Sequence, residues 1–260
     1  SRGFGDVYKR QQVENGRVLC QGEAGDITRL NLNLRCGERV LVELAAGPVH
    51  SFEALYQLAA GAPWEAFIPR EGQFPVKGHA LDSQLHSVPD CQKIVKKAAA
   101  ARLGRVYGLE RLPETGAKYQ IQFAVLRDRC SLYLDTTGPG LHKRGYRAVG
   151  VEAPLRETLA AAMVTNGPWR PWLPFFDPMC GSGTLCIEAA MVALDRAPGL
   201  LRPFDMERWD VCDQAACKAL RQEARERFEA KKAEGKPEIF GSDVDKRVPV
   251  SYTHLTLPTK

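Results

Sequence analysis

The segment at residues 175–184, Phe-Phe-Asp-Pro-Met-Cys-Gly-Ser-Gly-Thr, constrains the fold of this chain most strongly. An apolar run stops at Asp177, two glycines follow, and a stretch of helical composition begins directly after them. This order is typical of a strand, a tight glycine turn and the start of a helix. Glycines let a backbone approach a ligand closely, and amides at a helix start favour a carboxylate or phosphate. The segment therefore predicts a nucleotide-type pocket.

The residues of this turn argue against two common nucleotide-binding motifs. A P-loop requires a lysine between its last glycine and its Ser/Thr, but Gly183 is followed directly by Thr184, so ATP or GTP hydrolysis is not expected. A dinucleotide fingerprint requires a third glycine where Cys186 stands. The glycines instead lie between two acids, Asp177 and Asp243, that each end a predicted strand. This pattern favours S-adenosylmethionine, which carries an ammonium group, a ribose diol and a carboxylate.

The predicted cofactor site combines the turn with the end of a second predicted strand at residues 238–243. Asp243 would hold the ribose hydroxyls, as the corresponding acid does in other nucleotide-binding folds. Asp245 is a second candidate, nearer the adenine. The turn itself contributes seven further candidates: Asp177, Pro178, Cys180, Gly181, Ser182, Gly183 and Thr184.

Further motifs lie on both sides of the turn in the sequence. Ile-Glu-Ala-Ala occupies residues 187–190 and Asp-Arg-Ala-Pro-Gly residues 195–199. Upstream, Leu-His-Lys-Arg-Gly-Tyr-Arg occupies residues 141–147 and Ala-Pro-Leu-Arg-Glu-Thr-Leu-Ala residues 153–160. Together these motifs resemble the bacterial THUMP-domain RNA methyltransferases, the group that includes the 23S rRNA guanine-N2 methyltransferases. The resemblance covers most of residues 12–247.

The resemblance implies a fold of α/β plus α+β class. It divides the chain into a partial ferredoxin-like segment (12–60), a THUMP domain (61–137) and the N-terminal part of a Rossmann-like class I methyltransferase domain (138–247). Glu157 and Thr158 would lie beside the cofactor pocket. The local patterns agree, because residues 12–60 follow a strand, helix, strand order and residues 119–125 alternate apolar and polar side chains.

Two groups of cations are candidates for contact with RNA. The first lies on and just after a predicted helix at residues 90–103 and includes no acid: Lys93, Lys96, Lys97, Arg102 and Arg105. Such a run usually marks a solvated helix face, but with the THUMP resemblance we predict that it contacts RNA phosphates. The second group surrounds Tyr146 and consists of Lys143, Arg144 and Arg147. These residues either hold the RNA backbone or pin the linker between the domains.

Composition limits the remaining classes of function. No apolar run approaches the roughly 20 residues needed to span a bilayer, and no signal peptide opens the sequence, so the cytoplasm is the expected compartment. The eight cysteines include no Cys-x-x-Cys pair. We therefore predict neither a metal site nor a disulfide framework.

Both ends of the chain look foreign to it. Residues 1–11 and 248–260 resemble translated sequencing-adapter read-through, and we set them aside. The formal net charge of +5 falls by three without them. Global basicity is therefore weak support for a nucleic-acid partner.

The chemistry of methylating an exocyclic amine requires residues that the sequence does not contain. A base inside a helix must first be unstacked and flipped into a pocket. In this superfamily an Asn/Asp-Pro-Pro-Tyr/Phe segment then holds the amine, and none is present; the segment at residues 166–169, Asn-Gly-Pro-Trp, has one proline and precedes the turn. We expect the catalytic residues beyond residue 247 and no methyl transfer by this chain alone.

The same reasoning predicts an incomplete, loosely packed second half. With only two strands of its sheet present, the helices at residues 185–194 and 214–234 should keep exposed apolar surface.

Two alternative functions remain open. One is an amino-methyltransferase of DNA adenine or of protein glutamine, and the other is a non-catalytic RNA-binding module with a vestigial cofactor site.

Overall fold

The computed structural model describes residues 12–14, 16–147 and 155–244, and the first elements among them are a hairpin and a helix. β1 (Gln12–Glu14) pairs antiparallel with β2 (Arg17–Leu19), and α1 (Ala24–Asn33) follows. The Asp26 carboxylate stabilises the start of this helix, because it accepts a hydrogen bond from the Glu23 amide at 2.9 Å within a capping box. Both predicted tails and the candidate Asp245 lie outside the described residues.

Four strands form the main sheet. β3 (Leu41–Pro48), β4 (Val76–Leu81), β5 (Gln120–Leu126) and β6 (Arg129–Asp135) lie in the order β3-β6-β5-β4. β6 pairs antiparallel with both of its neighbours, whereas β4 and β5 are parallel. β3 precedes the boundary predicted at residue 60, yet it shares a sheet with the strands that follow that boundary.

Two helices pack against each other and against this sheet. α2 (Phe52–Gly61) begins at Ser51, whose side chain accepts a hydrogen bond from the Ala54 amide. α3 (Val88–Tyr107) is longer than the predicted helix at residues 90–103. It continues to Gly108, which adopts a left-handed φ of 64°, a conformation that commonly ends a helix at glycine.

The second half of the chain contains a two-stranded parallel sheet. α4 (Glu157–Asn166) packs against α5 (Thr184–Ala193), and α5 contacts both β7 (Phe175–Asp177) and β8 (Ile239–Gly241). α6 (Gln214–Glu234) has the predicted bounds. Within the described parts of the chain, no helix is long and apolar enough to cross a bilayer.

The expectation that α5 and α6 keep exposed apolar surface is wrong. α6 packs against α1 and buries Cys217, Ala224 and Phe228, because these residues lie on one face of the helix. In this half of the chain, large exposed apolar side chains lie instead on α4, in the connecting segments and on the small sheet, where the paired residues Phe176 and Phe240 are 63% and 55% exposed.

Candidate functional site

The predicted glycine turn connects β7 to α5. Gly181 and Gly183 adopt φ angles of 50° and 71°, which side chains with a Cβ atom rarely allow. Gly183 is the residue immediately before the helix, and the first-turn amides of a helix have no acceptors within it. The turn therefore presents the kind of helix start that binds anions.

The parallel pairing of β7 and β8 brings both predicted acids to this turn. The Ser242 amide donates to the Asp177 carbonyl at 2.9 Å. The Asp177 carboxylate accepts from the Met179 amide at 3.1 Å, and the Asp243 carboxylate accepts from the Gly181 amide at 2.7 Å. Both carboxylates therefore lie at the carboxyl ends of adjacent parallel strands, where nucleotide ligands bind in open α/β sheets.

Two cysteines pack beneath the turn. Cys180 and Cys186 are buried, and burial raises the pKa of both thiols, that of Cys186 to about 12, with the nearby Asp177 acting in the same direction. These thiols stay protonated at neutral pH and are poor nucleophiles. Cys180 can thus contribute to a ligand site through its backbone, while its side chain fills space.

Arg147 joins the turn to α4. Its guanidinium donates to the Glu157 carboxylate at 2.6 Å, to the Ser182 hydroxyl at 3.1 Å and to the Thr184 hydroxyl. Glu157 and the adjacent Thr158 are buried at the start of α4. The structure thus brings Glu157 beside the glycine turn, through a residue that the sequence grouped with the RNA-binding candidates.

Arg144 does not fit the predicted contact with RNA. Its side chain is 2% exposed and forms an ion pair with Glu188, which is fully buried, at 3.2 Å. It also donates to the Leu34, Arg35 and Leu141 carbonyls. Burial raises the pKa of Glu188, and the positive charges of Arg144 and Arg35 oppose this increase. The geometry matches the alternative in which Arg144 pins the linker, while Lys143 remains exposed.

The cations of α3 fall into two groups. The Lys96 ammonium group donates a hydrogen bond to the Glu114 carboxylate at 2.6 Å and lies 3.5 Å from the centre of the Phe74 ring. Arg102 donates two hydrogen bonds to the Glu65 carboxylate, so it also has a protein partner. The other three, Lys93, Lys97 and Arg105, are exposed, although Lys93 forms an ion pair with Asp90. These three residues are available to a large anionic partner.

A surface cleft of about 650 Å³ lies beside the C-terminal half of α3. Arg105 and Arg111 line it, together with apolar atoms of Phe74, Leu109 and Pro113. This cleft is remote in sequence from the glycine turn and lies within the predicted THUMP segment. It adds Arg111 to the exposed cations on this side of the sheet.

Sequence reasoning missed the buried charges that hold the linker between the two halves. Glu188 is one of them, and Arg202 is another, donating to the carbonyls of Gly140 and Lys143. A single acid within the apolar run at residues 185–194 was an available signal for Glu188, because an unpaired buried carboxylate is costly. Among the described residues, no cluster of His, Cys, Asp and Glu could hold a metal ion.

Comparison with known domain families covers both halves of the chain. Residues 3–41 match the RlmL ferredoxin-like domain, residues 49–135 the THUMP domain and residues 144–251 the RMKL-like methyltransferase domain. The chain contains a THUMP domain followed by an RMKL-like methyltransferase domain. The predicted fold class is confirmed. The glycine turn lies in the methyltransferase domain, and α3 lies in the THUMP domain.

Similar proteins are longer than this chain. It is 43% identical over 246 residues to the Bacillus subtilis (strain 168) protein named "Putative RNA methyltransferase YpsC", covering 94% of this chain and 63% of that protein. A solved structure from Listeria monocytogenes str. 4b F2365, described as "a predicted N6-adenine-specific DNA methylase", is 42% identical with a TM-score of 0.86, covering 92% of this chain and 62% of its own. That of SMU.472, described as "a putative methyltransferase complexed with SAH", is 39% identical with a TM-score of 0.84, covering 94% and 65%. This chain therefore spans less than two thirds of the length of these relatives.

Proposed function

We propose that this chain is the RNA-binding and cofactor-binding portion of an S-adenosylmethionine-dependent RNA methyltransferase that acts on guanine N2 of 23S rRNA. The observation that carries the proposal is the arrangement of Asp177, Asp243 and the glycine turn at one end of a parallel strand pair. This arrangement lies in the segment that matches a methyltransferase domain, and the related SMU.472 structure is described as complexed with SAH. The predicted lack of a disulfide framework favours a cytoplasmic location.

The charged groups around the turn suit the ribose and the ammonium group of S-adenosylmethionine. Asp243 is held beside the turn by the Gly181 amide, where its carboxylate would accept hydrogen bonds from the ribose hydroxyls. Asp177 offers a second carboxylate, suited to the ammonium group. Asp245 is proposed to lie nearer the adenine. S-adenosylmethionine supplies an electrophilic methyl group when bound, and the residues of this chain bind and orient it.

The base that accepts the methyl group requires residues that this sequence lacks. A flipped base needs acceptors for its amino hydrogens and an aromatic surface against its ring. Residues 12–247 contain no Asn/Asp-Pro-Pro-Tyr/Phe segment. We propose that these groups lie in sequence beyond residue 247 of a longer protein.

Methyl transfer with labelled cofactor tests this proposal. We expect a protein extended to the length of its relatives to label unmethylated 23S rRNA, and nuclease digestion of the product to release N2-methylguanosine. The 260-residue chain alone should transfer no methyl group. Transfer by the short chain at a similar rate would place the catalytic residues within residues 12–247 and contradict the proposal.

A second candidate function has one specific observation in its favour. The Listeria relative is described as an N6-adenine-specific DNA methylase, and the cofactor turn does not distinguish an adenine target from a guanine target. The THUMP domain and the Bacillus relative favour RNA. The same assay separates the candidates, because labelled N6-methyladenine in DNA, or labelled glutamine in a peptide, would replace N2-methylguanosine as the product.

RNA affinity should depend on the exposed cations of α3. We expect replacement of Lys93, Lys97 and Arg105 by glutamine to weaken binding of rRNA fragments. The slope of log K against log salt should flatten by about 0.7–0.9 for each RNA phosphate that the variant no longer neutralises. Lys96 is left intact because Glu114 already binds it.

A charge-matched variant provides the control for this experiment. Lys218, Arg225 and Lys236 are equally exposed but lie on or just after α6, so replacing them by glutamine should leave the slope unchanged. Equal slopes in the two variants would show that the α3 cations are only a solvated helix face.

A further inference from the structure

The side chain of Arg147 connects three parts of the candidate cofactor site. It donates hydrogen bonds to the hydroxyls of Ser182 and Thr184, which flank Gly183 at the start of α5. It also pairs with the Glu157 carboxylate at 2.6 Å. Only 21% of its side chain is exposed, and a cation that serves RNA phosphates would be expected to lie open to solvent, as Lys97 and Arg105 do.

The surroundings of Arg147 suit a small carboxylate. The planar guanidinium has five N–H donors in a fork that matches carboxylate geometry, and the three bonds to Glu157, Ser182 and Thr184 use three of them. The start of α5 adds partial positive charge at the same place. Among the described residues, Arg147 is the cation that hydrogen-bonds to the turn, whereas Arg144 is bound beneath it to Glu188.

We infer that Arg147 binds the carboxylate of the cofactor's amino-acid group, an inference that rests on the proposed function. Glu157 is then a positioning residue, because its buried carboxylate holds the guanidinium in place beside Ser182. The site therefore selects adenosine ligands that carry a carboxylate over those that lack one. This assigns Arg147 to the cofactor and not to RNA.

Calorimetry with two ligands tests this assignment in the full 260-residue chain. S-adenosylhomocysteine and S-adenosyl-3-thiopropylamine differ only by the carboxylate. We expect the unmodified chain to bind S-adenosylhomocysteine at least tenfold more tightly. Arg147→Met should weaken S-adenosylhomocysteine at least tenfold and change the affinity of the decarboxylated ligand by less than threefold. The affinity of Arg147→Lys for S-adenosylhomocysteine should lie between those of the unmodified chain and of Arg147→Met.

Three further variants control for indirect effects. Asp243→Ala should weaken both ligands at least tenfold, because both contain the ribose. Lys218→Met, a distant exposed cation on α6, should change neither affinity. The double variant Arg147→Gln, Glu157→Gln removes both charges together, so no buried carboxylate is left unpaired, and it should show the same loss of selectivity as Arg147→Met.

Each outcome bears on one of the two proposals. If the unmodified chain binds neither ligand, the proposed cofactor is contradicted, whatever Arg147 does. If it binds both ligands equally, or if Arg147→Met weakens both by the same factor, Arg147 only shapes the turn and the inference is overturned. A change in the ratio of the two affinities supports carboxylate binding.

Discussion

Replacing Glu188 with alanine should lower the free energy of unfolding by about 3–5 kcal/mol, the usual cost of removing one partner of a buried ion pair. Glu188 is fully buried and Arg144 is 2% exposed, with their side chains 3.2 Å apart. The variant leaves the Arg144 guanidinium buried, with the Leu34, Arg35 and Leu141 carbonyls as its remaining acceptors. Guanidinium unfolding followed by circular dichroism would measure the loss.

A double-mutant cycle separates the ion pair from general effects of substitution. Arg144→Met combined with Glu188→Leu should cost less than the sum of the two single changes, because neither charge is then left uncompensated. Glu234 provides the control, since its ion pair with Lys231 is exposed and such pairs contribute little. Additive costs in the cycle would show that Arg144 and Glu188 do not interact strongly.

Replacing Trp209 with alanine should also cost about 3–5 kcal/mol, as expected for a large aromatic residue removed from a core. Trp209 follows α5 in the sequence but packs in the core of the main sheet. Its ring stacks on Tyr119 at 4.9 Å, and its indole N–H donates to the Lys118 carbonyl at 2.9 Å. The substitution therefore leaves a cavity and an unpaired carbonyl where the two halves of the chain meet.

Circular dichroism unfolding of three variants would check this prediction. Trp209→Phe keeps an aromatic ring and should lose less stability than Trp209→Ala. Trp172→Ala should leave stability almost unchanged, because Trp172 is 78% exposed and surface substitutions usually have small effects. Equal losses for Trp209→Ala and Trp172→Ala would contradict the packing of residues 204–209 into the core.

The local patterns of the sequence predicted most of the helices and strands. α6 begins and ends where its composition indicated, because Gly235 and Pro237 stop it. The glycine turn was predictable for a similar reason, since Gly181 and Gly183 suit φ angles that other residues avoid. Strand limits were predicted less well. The strand predicted at residues 238–243 is shorter in the structure, because β8 pairs with β7 only over Ile239–Gly241.

The roles of the charged residues were decided only by the tertiary structure. Arg144, Arg147 and Lys143 form one basic cluster in the sequence, yet the fold buries the first against Glu188, attaches the second to the glycine turn and exposes the third. The partners of the first two lie 44 and 35 residues further along the chain. The local sequence pattern indicates helices and turns, because these depend on residues that are close together in the chain. Whether a cation is solvated, paired or directed at a ligand depends on which distant acid or hydroxyl folding brings within hydrogen-bond reach.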